Sequence, residues 1–189
     1  MGHCIPSTLG GFFMFKIKNL AFCGLLIALA TVTSFIKIFS FPFGGSVTLL
    51  SMLFVVLAGY FYGPKLGLLT AVVYGLLQLV IDPQIYYPMQ VVMDYVLAFG
   101  ALGLGGFFYK KKHGLIIGYL VGITGRYLFS SLSGYIFFSE YAWEGWSPML
   151  YTLAYNGGYI YTEAAITIVL LLIPPVSKAI AKVKKECNA

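Results

Sequence analysis

PMQVVMDYVLAFGALGLGGFFYKKKH, residues 88–113, holds what decides the fold. From Pro88 to Tyr109 the chain carries one charged side chain, Asp94, and then three lysines follow at once, Lys110, Lys111 and Lys112. A continuous apolar run of about 17–25 residues is the length of a helix that crosses a bilayer. A transmembrane strand would show about 10 residues of alternating character instead. The run is therefore read as a spanning helix, with the lysines as its anchor at one membrane face.

Working outward, the same pattern recurs. Apolar runs cover Leu20 to Phe39, Val47 to Tyr62, Leu66 to Ile81, Leu115 to Phe138 and roughly Leu150 to Ile173. FPFGGS, Gly63-Pro64, Asp82-Pro83 and Pro174-Pro175 punctuate the junctions, as helix boundaries require. The second run is short and extends into its loops. Of the 189 residues, 60% are hydrophobic and 10% are charged; a soluble domain carries roughly 25% charged residues. The expected fold class is therefore an all-α integral membrane protein, a bundle of six transmembrane helices over residues 14–177. Residues 1–13 are read as a disordered upstream extension or a vector-derived remnant, without signal-peptide features. Residues 178–189 are read as a basic tail.

The cations assign the two faces. Lys16 and Lys18 precede the first run, Lys65 lies between the second and third, and Lys110 to Lys112 lie between the fourth and fifth. Lys178, Lys182, Lys184 and Lys185 follow the sixth. These are alternate loops, so the bias of Lys and Arg places both termini in the cytoplasm. The net charge of +6 thus bears on orientation rather than on nucleic acid. The opposite loops hold Asp82, Glu140 and Glu144, with the aromatic stretch SEYAWEGWSPMLYTLAYNGGY at 139–159. The three cysteines are scattered, with no metal-binding spacing. No Walker A, H-E-x-x-H or G-x-S-x-G motif marks an enzyme.

Four of the polar residues inside the runs are singled out. Asp94 is a functional candidate because an ionised carboxylate in a bilayer is costly; otherwise it pairs with Arg126 or sits near the interface. Arg126 is a partner for Asp94 or Glu163, or snorkels to an interface. Glu163 reads first as a helix-packing hydrogen bond. Asn156 caps or interrupts the sixth run, or presents its amide to a ligand. Small residues at 100–106, at Gly118 and Gly122, and at Gly24 and Ala28 permit close helix approach. Aromatic rings, an amide and carboxylates at one membrane edge suit a flat, cationic, hydrogen-bonding small molecule.

Four stretches carry a family likeness: FPFGGSVTLLSM at 41–52, YGPKLGLLTAVVYGLLQ at 62–78, MDYVLAFGALGLGG at 93–106, and RYLFSSLSGYIFFSEYAWEGWSPMLYTLAYNGGY at 126–159. Together they resemble the thiamine-specific S-component, the substrate-binding membrane subunit of energy-coupling factor vitamin transporters. The resemblance implies high-affinity capture of thiamine from outside a bacterial plasma membrane, with thiamine as cargo and no cofactor. It implies no catalysis by this chain. ATP hydrolysis would belong to two cytoplasmic ATPase subunits, joined through a transmembrane coupling subunit that docks on Gly24 and Ala28.

The resemblance also implies a site. Asp94 matches the family's acidic residue, followed by Tyr95; Gly134 matches a glycine beside the ligand. Tyr151 and Asn156 match residues that recognise the ligand. Phe138 takes a stacking position, and Arg126 a basic position near the site. Ser130 stands where the family usually has histidine, and Gly45 where some members have tryptophan. Gly44 and Gly45 make the first loop the expected gate, with Trp143 and Trp146 as a compensating lid. The Ser130 departure keeps open another vitamin or precursor, pyridoxine-like or an aminopyrimidine. A stand-alone membrane channel or enzyme is the reading from a different class.

Overall fold

The computed structural model describes residues 17–187, and the expected extension at 1–13 lies outside them. Helix α1 spans Ile17–Ser34. The chain then forms an antiparallel hairpin from β1 (Lys37–Ser40) and β2 (Ser46–Thr48). Helix α2 covers Ser51–Tyr62 and α3 Pro64–Ile81. Helix α4 is an irregular rod over Pro88–Phe108. Helices α5 (Gly114–Phe137), α6 (Pro148–Leu172) and α7 (Pro174–Cys187) complete the described chain. Proline opens α3, α4, α6 and α7, where its missing N–H would have had no helical partner anyway.

The helices alternate in direction. One end of the bundle therefore gathers the hairpin, the 82–87 loop and the 138–147 segment. The other end gathers the lysine turn at 110–112 and α7. Among the described residues four helices, α1, α3, α4 and α5, are long and apolar enough to cross a membrane; α6 and α7 meet that test only together, as a pair bent by 85°. Large apolar side chains point outward, with Val80 78% and Val169 63% exposed. In water such a surface would be a liability, whereas against lipid it is the expected face.

Two expected boundaries move. The first apolar run does not stay helical to Phe39: α1 stops at Ser34 and Lys37–Ser40 is a strand. The second run begins as strand at Val47 and Thr48, and its helix has 12 residues. That is about 18 Å of helix, short of the roughly 30 Å hydrocarbon layer. Apolar runs rich in Ile, Val and Phe suit strand and helix alike, and here a non-local pairing chose the strand. The chain turns sharply between them at Pro42–Gly45, where Gly44 has φ +91° and the Phe41 N–H donates to the Gly45 carbonyl at 2.6 Å.

The basic segment expected from residue 178 continues a helix, α7, that begins four residues before Lys178. Val176, Ile180 and Val183 pack on the core beneath the bundle. The Lys184 ammonium lies 3.6 Å from the Tyr60 ring centroid and donates to the Tyr109 carbonyl.

Glycine sets the helix spacing. A methyl group on Gly103 of α4 would lie 2.5 Å from Leu68 Cα, and one on Gly67 of α3 would lie 2.6 Å from Gly59 Cα of α2. On the α4–α5 seam, a methyl on Gly118 would meet the Gly105 carbonyl oxygen at 2.6 Å. These contacts are backbone to backbone, so no larger residue fits without moving a helix. Gly24 is different: among the described residues nothing lies within 4 Å of a methyl there, and Ala28 is exposed too.

Candidate functional site

A cavity of about 360 Å³ opens at the hairpin end of the bundle. Its walls come from α3, α4, α5 and α6 with the end of α1 and the start of α2, and the hairpin with the 82–87 loop covers it. The wall from α4 is not regular helix. Val92–Ala98 winds more widely, with i→i+5 bonding, and Ala101–Phe108 winds more tightly. Wide turns of this kind re-aim side chains and recur at functional sites. Here the wide turn carries Asp94 and Tyr95.

Asp94 lines the cavity and accepts a 2.6 Å hydrogen bond from Gln90 Nε2. Arg126 also lines it, but forms an ion pair with neither Asp94 nor Glu163 among the described residues. Its guanidinium lies 4.1 Å from the Phe99 ring centroid, a cation–π contact, and its buried Nε has no hydrogen-bond partner.

Helix α6 supplies an aromatic wall. Tyr151, Tyr155 and Tyr159 recur every four residues and so share one face, with successive ring centroids 5.8 Å apart. Asn156 neither breaks nor caps α6, which runs through it. Its Nδ2 donates to the Thr152 carbonyl at 3.0 Å and its Oδ1 accepts from the Tyr159 hydroxyl at 2.9 Å. Gly134 is where α5 crosses this wall: a methyl there would lie 2.6 Å from Thr152 Cγ2.

Glu163 secures the hairpin. It is 2% exposed, and its carboxylate accepts from the Thr48 N–H at 3.0 Å, the Thr48 hydroxyl at 2.6 Å, the Ser51 hydroxyl at 3.2 Å and the Met52 N–H at 3.1 Å. The acid thus caps the start of α2 from a neighbouring helix, satisfying the Met52 N–H that a helix start leaves unpaired, and ties the end of β2 to it. This is the packing role, made specific. Between its anchors, Leu50 is held left-handed at φ +64°.

The hairpin has two further ties. The Tyr155 hydroxyl donates to the Pro42 carbonyl and accepts from the Gly45 N–H at 3.1 Å. Lys37 of β1 forms a 2.8 Å ion pair with Asp82 at the end of α3. Hydrogen bonding from Lys37 holds the Asp82 carboxyl below its usual range.

The structure gathers Asp94, Tyr95, Arg126, Ser130, Gly134 and Phe138 on one cavity, with Tyr151, Asn156 and Gly45. It does not bring Trp143 or Trp146 into the lining. Trp143 packs edge-on against Tyr151 at 5.3 Å, one ring removed from the cavity, and Trp146 packs on Trp143 at 5.1 Å. Sequence reasoning missed Gln90, Gln84, Tyr155 and Tyr159. The tyrosines carried a signal in their spacing of four, and Gln90 stands one helical turn before Asp94.

The sequence profile described as "Thiamine transporter protein (Thia_YuaJ)" matches residues 20–183. The chain belongs to this thiamine transporter family. Within it, the chain is 32% identical over 148 residues to the thiamine transporter ThiT of Bacillus subtilis (strain 168), covering 71% of this chain and 77% of that protein. It is 27% identical over 116 residues to ThiT of Lacticaseibacillus paracasei, covering 52% of this chain and 58% of that one. A solved structure of ThiT from Listeria monocytogenes matches with a TM-score of 0.70 at 24% identity, covering 85% of this chain and 96% of the other. That last likeness carries the fold. The family match runs from α1 into α7 and so includes every wall of the cavity.

Proposed function

We propose that the chain captures thiamine as the substrate-binding subunit of an ATP-driven energy-coupling factor transporter. The observation that carries this reading is the cavity itself: about 360 Å³, walled by the Tyr151–Tyr155–Tyr159 face and holding the carboxylate of Asp94. Small-molecule sites run about 300–1,000 Å³ and are mostly apolar with a few placed polar groups. Thiamine has an aminopyrimidine ring and a cationic thiazolium ring. The tyrosine faces attract and stack on such rings. Asp94 accepts from the amino group and balances charge. Asn156 keeps one amide N–H to offer, and Phe138 lies at the mouth beside Tyr86, 5.2 Å between centroids.

In this reading six helices span the bilayer, with the short α2 completed by its hairpin. The lysine end and both termini face the cytoplasm, and the cavity faces outside. The hairpin tip at Gly44 and Gly45 is the gate. The open Gly24–Ala28 patch of α1 docks the transmembrane coupling subunit, and two cytoplasmic ATPases supply the energy. The chain itself performs no catalysis.

The test is a tryptophan-fluorescence titration of the purified protein in detergent. Trp143 touches Tyr151, so occupancy of the cavity reaches one of the chain's two tryptophans. Saturable quenching by nanomolar thiamine, shifted to far higher thiamine concentration in Asp94→Asn, supports the reading; absence of quenching and of binding heat removes thiamine as cargo. Ser130, small and lining the cavity, favours one second reading, in which a pyridoxine-like or aminopyrimidine compound is the cargo. Competition decides between them: a thiamine site prefers the intact two-ring molecule to the pyrimidine alone.

A further inference from the structure

Gln90 sits one turn before Asp94 and is 2% exposed, yet no feature of an ordinary apolar helix requires a buried amide there. Its amide is fully engaged. Nε2 donates to Asp94 Oδ2 at 2.6 Å and to the Gln84 carbonyl at 3.1 Å. Oε1 accepts from the Tyr86 N–H at 3.3 Å. One side chain therefore joins the cavity's carboxylate to the loop that covers it.

A second path runs in parallel. The Tyr95 hydroxyl donates to the Asp82 carbonyl at 3.0 Å and accepts from the Gln84 N–H at 2.7 Å. The 82–87 loop in turn meets the hairpin twice. Asp82 pairs with Lys37, and Gln84 lies so close to Gly44 that a methyl there would be 2.8 Å from Gln84 Cγ. The cover thus has two halves, and the half from 82–87 is hydrogen-bonded to the wide turn that carries Asp94.

We infer that Gln90 is a positioning residue that fixes the Asp94 carboxylate and couples its occupancy to the 82–87 loop. A ligand cation or amino group on Asp94 competes for, or reinforces, the oxygen that Gln90 holds. The amide transmits that change to the backbone of Gln84 and Tyr86, and so to the seam with the hairpin. This deepens the proposed function, since the ligand on Asp94 is the thiamine of that reading.

The test uses the full chain in detergent with Gln90→Leu, Asp94→Asn and the double variant. Losing a donor to a carboxylate weakens thiamine binding about tenfold or more, and the loss is expected in the dissociation rate because the loop opens more readily. Because Gln90 acts through Asp94, the double variant binds no more weakly than Asp94→Asn alone. Additive losses would overturn the inference, as would a fall confined to the association rate. Hydrogen exchange without any ligand supplies a second arm. Gln90→Leu and Asp94→Asn each raise exchange at the 84–86 amides and leave α1 and α5 unchanged. Unchanged loop exchange in either variant overturns the coupling. If wild-type protein ignores thiamine while both variants loosen the loop, the cargo assignment falls and the coupling stands.

Discussion

Replacing Glu163 by glutamine tests how the hairpin is held, without reference to any ligand. One carboxylate oxygen takes the Thr48 N–H and hydroxyl; the other takes the Ser51 hydroxyl and the Met52 N–H. Glutamine keeps one acceptor oxygen and turns the other into a donor. A serine hydroxyl can rotate and accept from an amide, but a backbone N–H cannot. The least costly placement keeps the amide oxygen toward Thr48 and leaves the Met52 N–H facing another donor. One buried donor left without an acceptor costs about 1–3 kcal/mol. For a chain of this size each kcal/mol lowers the midpoint by about 2–4 °C, so a loss near 2 kcal/mol lowers it by roughly 4–8 °C. Thermal unfolding in detergent, followed by circular dichroism, reads this directly. Hydrogen exchange at residues 46–52 rises in the same variant, because the carboxylate joins β2 to the start of α2. Leu50→Gly recovers part of the loss, since it relieves the left-handed strain that Glu163 holds from both sides. A midpoint within 1 °C of wild type, by the ~2–4 °C per kcal/mol conversion, with unchanged exchange at 46–52, would refute the capping role.

Gly75→Ala should be among the most damaging single-methyl changes, because the added carbon would lie 1.9 Å from the Tyr95 carbonyl oxygen. Overpacking of this kind costs about 1–3 kcal/mol, and a fall in both thermal midpoint and ligand affinity is expected because the wide turn of α4 must shift. Gly24→Leu should leave the midpoint and ligand affinity unchanged, since the site is open, but abolish co-purification with a coupling subunit if α1 docks it. The Lys37–Asp82 pair should be insensitive to pH from 5 to 8. Asp82 has a lowered pKa in the folded state, so its contribution is present above the ordinary carboxylate range and is lost only as pH falls through that lower value. Hairpin protection against hydrogen exchange, corrected for the intrinsic rate at pH 7, 5 and 3, should fall only at the last. Because both partners are over one-third exposed, Lys37→Met should change the thermal midpoint little.

The membrane class and the helix-rich fold were legible in the sequence because each follows from local physics. A run such as 88–109 is too apolar for water and long enough for lipid, wherever the rest of the chain goes. Asp94 announced itself by the cost of a carboxylate in such a run. The spacing of four puts the α6 tyrosines on one face, although only Tyr151 among them was expected at the site.

The hairpin, the short α2 and the bent α7 were decided by tertiary structure. Lys37–Ser40 is apolar enough to prolong α1; it became a strand because β2 pairs with it, and Glu163, more than 110 residues away, satisfies the start of α2. The wide turn at Val92–Ala98 is not encoded by any proline or insertion within it, and Gly75 of α3 lets the Tyr95 carbonyl come close from the side. Whether Arg126 would pair with Asp94 or Glu163 was equally beyond the sequence. Hydrogen-bond donors were closer to both carboxylates, Gln90 for one and the hairpin for the other, so the guanidinium went to the face of Phe99. Local composition fixes what a segment can be. Which of several allowed partners a buried polar group takes depends on distances that exist only once the helices have packed.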